Sequence, residues 1–425
     1  MNSLLLSLLA GLDAAPLAFV GVSVVPMDTE RVLEHQTVIV RGERIERVGP
    51  AATVEVPADA VRIDGRGKWL LPGLAEMHGH IPPPSAPAAI IESYLELYVL
   101  RGATTLRTMY GFHNQFELRE RVERGELLGP SMYTAAPALL GQNVKDAEHA
   151  RELVTKYAGE GYDLLKIHEG LTIPEYDAIA AVAREKGLRM AGHVPDEVGV
   201  RRAIEAGQGI DHLDGYWEEA GEDEAKMEEL AKLSKEKGTW IVATQDLWSS
   251  IFGPVTVETL EQRPELAYVH PKEHAQWKAA KSAQLAHGDA EAGAKMLAGR
   301  DRMLGLLAKH GANLLLGSDA PQIYSVPGFS LGHEMPALER AGMTRWQILV
   351  AGTRAPAEYW GQAEQWGTIA EGKRADLLLL EGDPTKDIAN ANRQAGVMVR
   401  GRWLDKAEIE RRLDAIAARI ATLSK

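Results

Sequence analysis

Between residues 74 and 354, short apolar runs alternate with amphipathic helical stretches, and this alternation constrains the fold more than any other feature of the chain. A strand that is apolar along its whole length must be covered on both faces. A parallel sheet flanked by helices meets that requirement. The predicted strands are 74–78, 103–108, 132–136, 163–167, 189–193, 209–212, 239–244 and 313–318. Helices are clearest at 146–157, 173–185, 200–206 and 223–237, and Gly187, Gly207, Gly238 and Gly311 stand where left-handed C-caps would close a helix before a strand. Such alternation over about 280 residues matches an α/β fold of the (β/α)8 TIM-barrel type, typically about 250 residues long. A doubly wound open sheet is the alternative. It is disfavoured because no glycine fingerprint of a dinucleotide site follows the first strand.

The flanks read differently. Strand-like runs occur at 17–25, 36–40, 44–48, 61–64 and 69–71, with Arg41-Gly42-Glu43 as a tight turn. They return at 367–369, 376–380, 396–399 and 402–404. The expected organisation is a small composite β-sandwich domain built from both chain ends (17–71 and 356–425) around a barrel at 72–355. The last segment carries a helix at 406–423, with Ile409, Leu413, Ile416, Ile420 and Leu423 at helical spacing. A long connection at 245–312 holds Trp248, Phe252, Tyr268 and Trp277 and a helix-rich stretch at 271–310. It reads either as a wall of the substrate pocket or as plain helical elaboration.

Composition narrows the chemistry. The 425 residues include no cysteine, which excludes disulfides, thiolate ligands and a cysteine nucleophile. A transition-metal site must therefore use His, Asp, Glu or a modified Lys. The formal net charge of -13 offers no basic stripe for nucleic acid. No apolar run reaches the roughly 18–20 residues needed to span a bilayer. Residues 4–10 resemble the apolar part of a signal peptide. No Lys or Arg precedes them, and Asp13 and Pro16 interrupt the expected cleavage site, so cytoplasmic and exported locations both stay open.

Five signals carry chemistry, each at the C-terminal end of a predicted strand. Met77-His78-Gly79-His80 places two imidazoles on one side of the first strand, since residues i and i+2 share a face. Lys166 ends the fourth strand, where burial penalises an ammonium group. The bland reading is a snorkelling or ion-paired lysine. His193 and His212 end the fifth and sixth strands, and a lone histidine there would be an ordinary structural residue. Asp319 follows the apolar run of the eighth strand, where Ser318 and Asp319 also qualify as helix N-caps. Barrel enzymes place their active sites at this end of the strands, and the joint placement of all five signals is the specific observation.

With these residues in view, the chain resembles the amidohydrolase superfamily over nearly its whole length. Leu71-Pro72-Gly73-Leu74-Ala75-Glu76-Met77-His78-Gly79-His80 is similar to the family's opening motif, and Gly367-Thr368-Ile369-Ala370-Glu371-Gly372-Lys373-Arg374-Ala375-Asp376-Leu377 to its closing one. Within the family, the resemblance is to the imidazolonepropionase-like and Xaa-Pro dipeptidase-like branch. It implies two divalent metal ions, usually zinc, with His78, His80 and Asp319 on one ion and His193 and His212 on the other. Lys166, carboxylated by CO2, would bridge them together with a hydroxide. That hydroxide would attack a polarised carbonyl, with Asp319 and His212 as the catalytic residues and Asp319 passing the proton to the leaving nitrogen. Imidazolonepropionases work with one metal and no bridging lysine, so Lys166 points to the two-metal type. Deaminases carry a Glu soon after the fifth-strand His. In His193-Val194-Pro195-Asp196-Glu197 that Glu is shifted by one residue.

Loops after the strands offer substrate-binding candidates: His113, His168, Tyr216, Trp217, Gln322 and Tyr324, with Tyr110, Gln245 and Trp248 beside them. Aromatics dominate, which suits an apolar or aromatic group. Arg107 is open between pairing a substrate carboxylate and a core ion pair. The leading expectation is hydrolysis of a peptide or N-acyl amino acid amide, as in a dipeptidase or carboxypeptidase. Alternatives are a cyclic amide, lactone or ester hydrolase, a deaminase on the same scaffold, and a catalytically inactive binding barrel. The expected partner is a small molecule or short peptide. Barrels of this type often self-associate, and no interface is legible in the sequence.

Overall fold

In this computed structural model the described residues are 15–423, so the signal-like segment at 4–10 lies outside them. In chain order the strands are β1 (Leu17–Val24), β2 (Leu33–Arg41), β3 (Arg44–Pro50), β4 (Val61–Asp64), β5 (Trp69–Pro72), β6 (Leu74–Gly79), β7 (Ala103–Thr108), β8 (Ser131–Thr134), β9 (Leu164–Ile167), β10 (Arg189–Gly192), β11 (Gly209–Asp211), β12 (Trp240–Val242), β13 (Asn313–Leu315), β14 (Leu377–Leu380), β15 (Gln394–Val399) and β16 (Arg402–Asp405). They fall into two compact units. One comprises residues 15–75, 98–104 and 345–415, the other 76–97, 105–344 and 416–423.

The first unit is built on one sheet in the order β16-β15-β14-β5-β1-β2-β3, with β4 paired to β1. β14 runs antiparallel to β5, setting Leu377 opposite Pro72 and Leu380 opposite Trp69. The two ends of the sequence therefore share a ladder. The four leucines of β14 are all buried. Phe19, Val22, Val38, Ile45, Leu70, Leu377 and Met398 form the core of this unit, and Trp403 packs edge-on against Phe19 at 5.2 Å. The strand expected at 367–369 is absent. Ile369 is buried in the same core, but its N–H bonds only to the Pro26 carbonyl, so the apolar residue is anchored by its side chain without a ladder.

The second unit carries the strand–helix alternation. β6, β7 and β8 form one sheet, and β9 to β13 form a parallel sheet in sequence order. Single parallel bridges join Ala135 to Leu164 and Gly79 to Ala320. The Met77 N–H also donates to the Leu316 carbonyl at 2.9 Å. Expected helices begin at ordinary caps. Asp146 accepts from the His149 N–H at 2.8 Å, and Thr172 and Glu175 form a capping box. The stretch at 271–310 is two helices, Pro271–His287 and Ala290–Lys309, because Gly288 breaks the first and Asp289 caps the second. The C-terminal helix is Lys406–Thr422. No helix among the described residues is long and apolar enough to cross a membrane.

Several strands end one to three residues earlier than their apolar runs suggest, and the backbone gives the reason. His212, Leu213, Thr244 and Asp319 all have left-handed φ, at 63°, 53°, 52° and 61°. That conformation is uncommon for residues with a Cβ and persists only where the surroundings impose it. At these positions the chain leaves the sheet; His212 and Asp319 turn toward one another there, and Thr244 reaches the His212 ring.

Candidate metal centre

Four strand ends bring the site together. His78 and His80 leave β6, His193 follows β10, His212 follows β11 and Asp319 lies beyond β13. Oδ1 of Asp319 is 2.5 Å from Nε2 of His80 and 3.4 Å from Nε2 of His78, and its Oδ2 is 3.7 Å from Nε2 of His212. Ring centroids of His78 and His212 are 4.5 Å apart, and those of His193 and His212 are 4.7 Å apart. Lys166, at the end of β9, is buried and senses the charges of Asp211, Asp319 and Asp214.

The opposite ring nitrogens are held in place. Nδ1 of His78 lies 3.0 Å from Asp211, Nδ1 of His193 lies 2.7 Å from Asp214, and Nδ1 of His212 lies 2.9 Å from the Thr244 hydroxyl. For His78 and His212 the opposite Nε2 is then turned toward Asp319, which is how oxygen groups orient metal-binding imidazoles. Asp211 is itself fixed by Arg107 at 2.8 Å. Arg107 also donates to the Met77 carbonyl, so of its two readings the core ion pair is the one present. Glu76 accepts from the backbone N–H groups of His78 and Ser318 and from the Ser318 hydroxyl, tying β6 to the turn that carries Asp319. Sequence reading gives no role in the site to Asp211, Asp214, Thr244 or Glu76, and weighs Ser318 only as a helix N-cap. The signal for Glu76 was present, since it shares a strand face with His78 two residues on.

Electrostatics suit a cation. Burial holds His78 and His212 well below the usual imidazole range, which favours the neutral rings that offer an Nε2 lone pair. These two Nε2 atoms are buried and have no hydrogen-bond partner. Burial alone would raise Asp319, but His78, His80 and Lys166 outweigh it and keep the carboxyl well below its ordinary value. Burial also lowers Lys166, which favours a neutral amine. Ligand atoms of His78, His212 and Asp319 all lie within 4.8 Å of one another, and those of Glu169, His193 and Asp214 form a second such group. Neutral imidazoles, an ionised carboxylate and orphaned nitrogens fit a divalent ion, whereas an unfilled buried cluster of this kind would be costly. Gly192 gives Lys166 its path, because a Cβ there would sit 2.2 Å from the Ile167 carbonyl and 3.0 Å from Lys166 Cδ.

The loop candidates distribute unevenly. The His168 ring lies 4.4 Å from that of His193, tilted by 46°; it is pushed down to about 4 by burial and by His193, and accepts from the Glu169 N–H. Gln322 donates to Asp319 Oδ2 at 2.8 Å. Trp248 lies 6.5 Å from His212 and stacks over the Arg300 guanidinium. Tyr216 and Tyr324 are buried, with their hydroxyls on Ser234 and Glu261. Trp217 packs against Gly299, where a Cβ would meet its ring at 2.1 Å. His113 is exposed and edge-on to Phe116. The connection at 245–312 contributes His270, Lys272, Glu273 and Gln276 to a cavity that also contains His80.

Comparison with known proteins bears on this arrangement. Residues 69–404 match the family model described as the amidohydrolase family. Over 217 residues the chain is 28% identical to an ochratoxinase from Aspergillus niger, a match covering 50% of this chain and 37% of that one. The chain thus spans well under two thirds of that relative. Among solved structures, bottromycin amidohydrolase superposes with a TM-score of 0.77 at 20% identity, covering 97% of this chain and 93% of the other. A Xaa-Pro dipeptidase with bound methionine in its active site superposes with a TM-score of 0.71 at 20% identity, covering 92% and 100%.

Proposed function

The chain belongs to the amidohydrolase family, and on that premise we propose that it is a metal-dependent hydrolase cleaving an amide C–N bond in a short peptide or N-acyl amino acid. The observation that carries this reading is the buried cluster of His78, His212 and Asp319 with two orphaned Nε2 atoms. On this reading the strands β6 to β13 close into a (β/α)8 barrel, supported by the parallel bridges at Gly79 and Ala135. The barrel would occupy 72–355, and the strands from 17–71 and 356–425 would make the composite β domain.

His78, His80 and Asp319 would hold one divalent ion, zinc by family resemblance, and His193 and His212 a second, with Lys166 as a carbamate between them. When bound, such ions polarise a carbonyl and lower the pKa of water toward neutrality. The chain's own residues do the rest. Asp211, Asp214 and Thr244 fix the imidazoles. Gln322 steadies Asp319 Oδ2. Asp319, buried and ionised, takes a proton from the attacking water and delivers it to the nitrogen as the C–N bond breaks, so water and amide become a carboxylic acid and an amine. Names borne by similar proteins, a dipeptidase and an amidohydrolase, favour amides over lactones. Glu197, the residue a deaminase would require, accepts from the Ile173 N–H at 3.1 Å, which disfavours deamination.

The test is metal content per chain in native protein and in Lys166→Ala, followed by a panel of dipeptides and N-acyl amino acids. Two ions in the native protein, fewer in the variant and cleavage of panel members are expected. One ion unaffected by the substitution would sink the two-metal reading. A fully loaded protein inert toward the whole panel would sink amide hydrolysis.

A further inference from the structure

A cavity of about 530 Å³ opens beside His80, bounded by the proline-rich loop after β6, by Tyr110 and Phe112 after β7, and by the start of helix Pro271–His287. Its volume lies in the range of small-molecule sites. We propose that this cavity receives a bulky, uncharged ring carried by the leaving nitrogen of the substrate. The enzyme would then favour amides of aromatic or polycyclic amines and amino acids over those of glycine.

Three observations carry this inference, which rests on the amide-hydrolase reading above. The first is continuity. His80 and Pro321 line the cavity, and His80 Nε2 is 2.5 Å from Asp319. Asp319 is the residue assigned to protonate the leaving nitrogen, and through His80 and Pro321 this cavity adjoins it, which puts a group on that nitrogen within the cavity's reach.

The second is chemistry. Ile81, Pro82, Ile90, Phe112 and Pro321 present hydrocarbon. The Tyr110 and Phe112 rings stand 5.5 Å apart, and Tyr110 is 40% exposed, so its ring is accessible from the cavity it lines. Glu273 also lines the cavity, and it is already engaged, accepting the Tyr94 hydroxyl at 3.0 Å. Lys272 is exposed, and with His270 and Gln276 it makes the polar part of the lining.

The third is rigidity. Pro82, Pro83 and Pro87 fix much of the loop, so little backbone entropy is lost when the cavity fills. A glycine-sized leaving group would leave this volume to water. A planar ring would displace that water and exploit both aromatic edges.

Ala86 lies at the half-buried rim, where added bulk reduces the cavity without disturbing the core. The experiment uses the full metal-loaded chain, its Ala86→Val and Ala86→Trp variants, and N-acetyl amides of glycine, leucine, phenylalanine and naphthylalanine. Native protein is expected to show kcat/KM rising at least tenfold from glycine to naphthylalanine. That ratio should shrink in Ala86→Val and shrink further in Ala86→Trp. A flat native series, or a ratio preserved in Ala86→Trp, would overturn the proposal. Binding of N-acetyl-naphthylalanine, read by its own fluorescence, separates this inference from the catalytic one. Binding weakened tenfold or more in Ala86→Trp without cleavage of any amide supports the cavity and discards amide hydrolysis. Equal or absent binding in both proteins discards the cavity whether or not amides are cleaved.

Discussion

Oδ2 of Asp214 lies 2.7 Å from Nδ1 of His193. The carboxylate holds the imidazole at Nδ1, so a metal would be taken at the opposite ring nitrogen, in a ring whose centroid is 4.7 Å from that of His212. Removing the carboxylate while keeping its shape, as Asp214→Asn, is expected to weaken metal binding by roughly 10- to 100-fold. Competition with a fluorescent chelator measures this. An unchanged affinity would show that Asp214 does not orient a ligand.

Arg107 and Asp211 form a buried ion pair at 2.8 Å, both with side chains about 1% exposed. Cutting Arg107 to Met strands the Asp211 carboxylate next to His78. A loss of about 3–5 kcal/mol in unfolding free energy is expected, as for other buried pairs broken on one side. Adding Asp211→Asn should restore part of it. A double variant no more stable than the single one would refute the pairing account.

Gly192 has φ of 134°, and an added Cβ would press on the Ile167 carbonyl and on Lys166. Gly192→Ala should cost on the order of 1–3 kcal/mol in backbone strain. It should also lower metal content, because Lys166 must move. Full metal content with normal thermal stability would show that the space is not needed.

Burial pushes Glu334 up to about 8, although it accepts the Gln245 and Asp246 backbone N–H groups. A carboxyl whose folded pKa exceeds its unfolded value binds more protons when folded. Its contribution is therefore fully present below the unfolded value near 4.5 and is lost as pH rises through about 8. Relative to Glu334→Gln, the native protein should lose stability between pH 5 and 8, at up to about 1.4 kcal/mol per pH unit. Urea unfolding across that range tests the sign, and parallel curves for the two proteins would contradict it.

The residues that carry chemistry were readable because strand ends are readable. A run such as 314–316 followed by Asp319, or 189–192 followed by His193, marks where the chain leaves a sheet, and side chains there face the same end of the fold. The supports were harder to see. Asp211 and Asp214 look like ordinary acids flanking His212, and Thr244 like the end of a strand, until left-handed turns at 212 and 244 bring them behind the rings. Tyr216 and Tyr324 had the right position in sequence, but their hydroxyls are taken up by Ser234 and Glu261. The run at 367–369 looked like a strand because hydrophobicity reports burial, and Ile369 is buried without pairing.

The ladder between β5 and β14 has a consequence for synthesis. Trp69–Pro72 finds its partner Leu377–Leu380 only after roughly 300 further residues have left the ribosome, about 15–60 s at ordinary elongation rates. During that interval the β5 edge facing β14 has unpaired N–H and C=O groups, beside strands rich in valine and isoleucine. Such an edge invites association with neighbouring chains. A nascent chain halted before residue 377 should therefore be held by chaperones or aggregate, and slowing translation late in the message should lower the yield of folded protein.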